Sequence, residues 1–130
     1  MIPNFHDGNL TGLSVAERTA TFSVVRYDGA LWRIELSGVR HLKADDFREG
    51  NIISFCEVVT NTDPSRALLE AVASGPHEAA AQEYHNQYRL FIDGLSEHVR
   101  NGSLSLLHIE PSYGCEVLAI CEKIEANEVR

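Results

Sequence analysis

Long apolar runs, paired cysteines and clusters of basic residues are all missing from this 130-residue sequence. No apolar run approaches the roughly 20 residues that a membrane-spanning helix needs, so we expect no membrane segment. The first residues, MIPNFHDGN, contain neither a basic stretch nor an apolar one. We therefore expect no secretory signal and a cytoplasmic location.

The three cysteines, Cys56, Cys115 and Cys121, are odd in number, widely spaced and without a C-x-x-C pair. This pattern excludes a disulfide framework and a zinc-finger arrangement. Each cysteine lies in a strand-like run and is followed by glutamate. Cysteine behaves as a small buried hydrophobe, and the next residue of a strand points the other way, so we predict buried structural thiols.

Basic residues are outnumbered, since 11 Lys and Arg face 19 Asp and Glu and the formal net charge is −8. The acidic residues are spread along the chain rather than held in one tail. A nucleic-acid-binding surface needs clustered Lys and Arg, so we expect no nucleic-acid partner. The same charge would steer a basic protein partner towards the chain.

Known sequence motifs of catalysis are absent as well, including G-x-S-x-G, the P-loop, the Rossmann fingerprint and H-E-x-x-H. We therefore predict no catalytic residue, no metal site and no cofactor. If the chain binds a small molecule or has an activity, the candidates are His6, Asp7, His41 and Tyr113. An adjacent His-Asp pair in a turn can bind a metal or exchange protons, although such an aspartate more often caps local amides.

Residues 20–39 have the clearest pattern, a β-hairpin in which apolar and polar residues alternate on both sides of Asp28-Gly29. A two-residue loop would place Val24 opposite Arg33, and apolar residues would then share a face with charges. A three-residue loop from Asp28 to Ala30, or a five-residue one, keeps the apolar residues together, with Gly29 at positive φ. The three-residue loop pairs Phe22 with Leu36, Val24 with Ile34 and Arg26 with Trp32.

Further strands are predicted at residues 10–16, 52–60, 104–109 and 115–124, with a short extension of the hairpin at 39–42. Residues 43–51 are predicted as a connection with Phe47 as its one aromatic anchor, and residues 125–130 as a frayed tail. Asp63-Pro64 predicts the start of a first helix that ends at Gly75. A second helix is predicted within 77–100, with residues 88–92 as a strand in the alternative reading.

These elements predict one α+β domain spanning residues 1–130. We expect a mainly antiparallel sheet of about six to seven strands, with two helices inserted before the last two strands. Apolar residues on both faces of 115–124 favour a strand inside the sheet with helices on one side.

Four short segments carry a resemblance to known proteins: F-H-D-G-x-L at 5–10, D-F-x-x-G-N-I-I at 46–53, L-H-I-E-P-S-x-G at 107–114 and C-E-x-I at 121–124. In this combination the chain resembles small uncharacterised bacterial single-domain proteins, some of them immunity proteins of polymorphic toxin systems. The resemblance implies a small α+β domain with a mainly antiparallel sheet and no known catalytic residues.

Three functional hypotheses follow. The first is a non-catalytic interaction domain, immunity-like, that binds a basic protein partner. The second is a small-molecule binder or enzyme with a site centred on His6 and Asp7. The third is a structural subunit of a homo-oligomer.

Overall fold

One eight-stranded antiparallel sheet and two helices form the fold in the computed structural model, which describes residues 2–130. In chain order the strands are β1 (Asn9–Ala16), β2 (Thr19–Val25), β3 (Leu31–Ser37), β4 (His41–Asp45), β5 (Ile52–Val59), β6 (Ser105–Tyr113), β7 (Glu116–Cys121) and β8 (Lys123–Glu128). Helices α1 (Arg66–Val72) and α2 (Gln82–Arg100) lie between β5 and β6 in the chain. The predicted α+β class with an antiparallel sheet is confirmed.

The number of strands and the place of the helices differ from the prediction, because there are eight strands and three of them follow the helices. Residues 115–124 were predicted as one continuous strand, but the backbone turns at Glu122 and divides the segment between β7 and β8. Most of the predicted frayed tail belongs to β8, whose backbone pairs with β3 from Trp32↔Glu128 to Ser37↔Lys123. Backbone hydrogen bonds to β3 hold this strand in place. Because these bonds do not depend on side-chain type, a polar sequence does not reveal them.

The sheet closes on itself through two bent strands. Its strand order is β4-β7-β6-β5-β1-β2-β3-β8, and its two ends are continuous with inner strands, since β4 follows β3 and β8 follows β7. At the bend, the Arg40 amide donates to the Ile120 carbonyl and the Glu122 amide donates to the Ser37 carbonyl. Residues 31–45 and 116–128 therefore form one long bent ribbon, and this ribbon joins the two halves of the sheet.

The interior of this ring is the main apolar core, and the 20–39 hairpin supplies much of it. Phe22, Val24, Ile34 and Leu36 are buried on one side, as predicted. The register differs by two residues, with Phe22 opposite Ile34 and Val24 opposite Trp32. The reason is the three-residue loop 27–29, in which Gly29 takes the last position with φ of +86°. Glycine fits that left-handed position without strain, so the turn sets the register.

The two helices cover part of the outer face of the sheet, as the two apolar faces of 115–124 predicted. Ile92, Leu95 and Val99 form the buried stripe of α2, and they pack with α1 against β6 and β7. Residues 88–92 are helical, so the alternative strand is wrong. Tyr84, in the first turn of α2, is exposed.

The start of α1 also differs from the prediction. Ser65 caps α1 instead of Asp63, through a 3.4 Å hydrogen bond from the Leu68 amide to the Ser65 hydroxyl. Asp63 forms an ion pair with Arg100 at the end of α2. Asp63 therefore forms an ion pair instead of capping α1. The sequence around Asp63 does not predict this pair, because Arg100 lies far along the chain.

The connection before β5 is shorter than predicted, and its aromatic residue has another role. Residues 43–45 belong to β4, and Phe47 is exposed instead of anchoring the loop. A buried amide, Asn51, anchors it. The Oδ1 atom of Asn51 accepts from the amides of Arg48 and Cys115, and its Nδ2 atom donates to the carbonyls of Leu10 and Arg48. Asn51 thus ties β1, the loop before β5 and the β6–β7 turn together.

Two of the three cysteines belong to the apolar core, and the third packs against it. Cys115 and Cys121 are buried as predicted, whereas Cys56 is only half-buried. Burial raises the pKa of the Cys121 thiol to about 11 and that of Cys56 to about 12, so both stay protonated at neutral pH.

Candidate functional site

The sequence candidates His6 and Asp7 lie together in an exposed turn before β1. His6 Nε2 is 3.5 Å from Asp7 Oδ2, and His6 Nδ1 is 2.7 Å from the Ser54 carbonyl oxygen. Asp7 adopts a φ of +62°, and its amide donates to the Ile53 carbonyl. These contacts hold the turn on β5. Both side chains are more than half exposed.

The other two sequence candidates lie in different surroundings. His41 packs edge-on against Phe91 of α2, with ring centroids 5.6 Å apart, and burial together with nearby Arg40 lowers its pKa. Tyr113 is exposed at the end of β6, under the guanidinium of Arg48. Neither residue has a hydrogen bond, ion pair or ring contact with His6 or Asp7 in residues 2–130. The four candidates therefore do not form one site.

A different group of side chains converges on the part of the outer face that the helices leave open. Residues directly opposite each other in a sheet share a face. Phe55 pairs with Glu110, Asp45 pairs with Glu116, and Glu57 pairs with His108. We call the surface formed by Asp45, Phe55, Glu57, Glu110 and Glu116 the acidic face.

His108 lies at the inner border of the acidic face and is only 6% exposed. Its Nε2 atom is 2.9 Å from Glu110 Oε2 and 3.2 Å from Glu116 Oε2. The ring meets Phe55 edge-on, with centroids 5.3 Å apart, and its Nδ1 atom is buried without a hydrogen-bond partner. His108 is thus a buried, hydrogen-bonded histidine.

The carboxylates of the acidic face have no lysine or arginine partner in the described part of the chain. Within residues 2–130, Asp45, Glu57, Glu110 and Glu116 form no ion pair with lysine or arginine. Elsewhere such pairs are common, and they hold Asp28, Asp46, Asp63, Glu70, Asp93, Glu97, Glu122 and Glu125. The acidic face therefore concentrates negative charge beside Phe55, which is 42% exposed.

The His108, Glu110 and Glu116 side chains are also the residues that could hold a metal ion, since one ligand atom from each lies within 4.8 Å of the others. The sequence analysis gave them no role. His-x-Glu in a strand places both side chains on one face. Glu116, just beyond the following turn, can then face His108 and Glu110. The sequence signal for this group was therefore a His-x-Glu pair in a strand, followed by a glutamate after the next turn.

A cleft of about 470 Å³ opens between β5 and β8. Its apolar walls are Ile2, Cys56, Val58, Ile124 and Ala126, and Thr60 and Glu57 of the acidic face also line it. The cleft contains none of the sequence candidates.

The chain matches no protein-family model, no curated protein and no solved structure. Neither helix described in residues 2–130 is long and apolar enough to cross a membrane.

Proposed function

We propose that this protein is a non-catalytic interaction domain, immunity-like, that binds a basic protein partner through the acidic face. The observation that carries the proposal is the group of four carboxylates that share a face with the exposed ring of Phe55 and form no ion pair with lysine or arginine in residues 2–130. Unpaired surface carboxylates attract lysine and arginine side chains of a partner, and an exposed aromatic ring supplies apolar contact area.

The location of the acidic face supports the same proposal. It is built on β4, β7, β6 and β5, whose backbones are held by ladder hydrogen bonds, so the Cα positions of its residues keep a fixed spacing. A rigid surface loses little conformational entropy on binding. The overall charge of −8 adds long-range attraction, which raises the association rate and weakens as salt increases.

The test compares two charge variants in capture from the source lysate at low salt. The Asp45→Lys, Glu57→Lys double variant reverses charge within the acidic face. The Glu35→Lys, Glu83→Lys double variant makes the same change in net charge at two exposed positions elsewhere. We expect the wild type and the second variant to capture the same basic protein, and the first variant to lose it.

Isothermal titration calorimetry with the captured protein then checks affinity and its decline with salt. Equal loss of capture by both variants would mean that only net charge matters. Capture of nucleic acid or of an acidic protein would also contradict the proposal.

The cleft between β5 and β8 favours a second candidate function, the binding of a small apolar molecule. Its volume lies within the usual range for ligand pockets, about 300–1,000 Å³. Replacing Ala126 by tryptophan should fill the cleft. The wild type should then bind an apolar fluorescent probe and Ala126→Trp should not, whereas equal binding by both would count against this candidate.

A further inference from the structure

The geometry points to a divalent transition-metal site formed by His108, Glu110 and Glu116, and we propose Zn²⁺ as the ion that it takes. This inference goes beyond the proposed interaction function and does not depend on it. Its first support is the set of donor atoms. One imidazole nitrogen and two carboxylates suit Zn²⁺, whereas Mg²⁺ and Ca²⁺ favour oxygen ligands.

The spacing of the donor atoms agrees with a metal coordination shell. Ligand atoms bound about 2.0–2.1 Å from zinc lie about 3.3 Å apart at tetrahedral angles and about 2.9 Å apart at right angles. The distances from His108 Nε2 to the Glu110 and Glu116 oxygens are 2.9 Å and 3.2 Å. Small rotations of the two half-exposed glutamates bring all three atoms into one shell.

A second, independent support is the position of the histidine ring. His108 is more than nine-tenths buried, and its Nε2 atom is directed between the two carboxylates. Phe55 contacts the ring edge-on and limits its rotation. The nitrogen ligand is therefore held in place before an ion arrives, so little entropy is lost on binding.

Charge gives the third support. Glu110 and Glu116 approach the same nitrogen, and like charges on neighbouring strands repel. A divalent cation bound between the two carboxylates offsets both negative charges. The protein supplies three ligands, which leaves a coordination position for water or a partner's side chain, as in catalytic rather than structural zinc sites.

The buried Nδ1 atom sets a limit on affinity. A histidine that ligates through Nε2 carries its proton on Nδ1, and metal-bound histidines usually donate that proton to an acceptor. His108 Nδ1 has no acceptor within residues 2–130. We therefore expect weaker binding than at structural zinc sites, with a dissociation constant in the micromolar range.

The test titrates the chelator-treated full chain with Zn²⁺ by isothermal titration calorimetry. The variants are Glu110→Gln and Glu116→Gln, which keep side-chain size. Asp7→Asn is the matched control, since it removes the carboxylate of the exposed His6–Asp7 pair. Loss of an outer-shell partner alone commonly weakens metal binding 10–100-fold, so each ligand variant should bind at least about tenfold more weakly.

Far-UV circular dichroism establishes that each variant is folded, and visible absorption of bound Co²⁺ gives a readout of the ligand shell. We expect one Zn²⁺ per chain in the wild type and in Asp7→Asn, and a loss of the Co²⁺ bands in both ligand variants. No stoichiometric binding in the wild type would overturn the site. Unchanged binding in Glu110→Gln and Glu116→Gln, or loss of binding in Asp7→Asn, would do the same.

Discussion

Asn51 shows how much one residue can hold together. It forms four side-chain hydrogen bonds, which join β1, the loop before β5 and the β6–β7 turn. Gly114 makes room for it, since a Cβ atom there would lie 2.5 Å from Asn51 Oδ1. This role could not be predicted from the sequence, because partners such as Leu10 and Cys115 lie 41 and 64 residues away.

Replacing Asn51 by aspartate tests this anchor. The carboxylate keeps the size of the amide, but it cannot donate to the Leu10 and Arg48 carbonyls. We expect the free energy of unfolding to fall by at least about 2 kcal/mol, since buried groups lose their hydrogen bonds. Urea denaturation measures the change. Asn127→Asp, on the exposed side of β8, is the control and should differ from wild type by about 0.5 kcal/mol or less.

Cys121 gives a pH-dependent prediction. Burial raises the pKa of its thiol from 9.0 to about 11, so the unfolded chain ionises this thiol first as pH rises. The thiol's contribution to stability is therefore complete below pH 9 and is lost between pH 9 and about 11. Urea midpoints measured across this range should fall more steeply for the wild type than for Cys121→Ala. Parallel curves would contradict the prediction.

For single helices and strands, the features that depend on neighbouring residues were predicted correctly. The features that depend on contacts between distant residues were not. Alternation in the 20–39 hairpin gave the buried face, while the left-handed position of Gly29 decided the register. The existence of α2 was predicted within residues 77–100. The start of α1 was misplaced, because Asp63 pairs with Arg100 and leaves the cap to Ser65.

Two leucines of α2 form a matched pair that tests the packing of the helix. Leu95 is 6% exposed and contacts the sheet side, whereas Leu90 is 70% exposed. Leu95→Asp would bury an unpaired charge, so we expect a loss of about 4 kcal/mol or more, or no folded protein. Leu90→Asp should change stability by about 0.5 kcal/mol or less. Thermal unfolding followed by circular dichroism gives both values, and similar effects would show that α2 packs differently.

At the scale of the whole molecule, the bent ribbon of residues 31–45 and 116–128 joins the two halves of the sheet. Its far end, β8, is polar and pairs only with β3. The polar sequence of β8 therefore predicted a frayed tail over most of this strand. The general α+β class was nevertheless predictable, because the helices and the apolar strands are defined by local patterns.

Ending the chain after Glu122 tests the structural role of β8. The truncation leaves the β3 edge unpaired and removes Ile124 and Ala126, which pack against the core. We expect self-association or loss of the folded state, measured by size-exclusion chromatography with light scattering and by circular dichroism. A chain shortened only by Arg130 is the control and should elute like the wild type. A folded, monodisperse truncated chain would contradict this role.

The same ribbon has a consequence for synthesis on the ribosome. β1, β2 and β3 emerge early and can form a meander, but the outer edge of β3 lacks its partner until β8 has been translated. Unpaired strand edges recruit other chains. The nascent polypeptide is therefore most exposed to misassembly during the interval between β3 and β8, and a chaperone that shields the β3 edge would act in that interval.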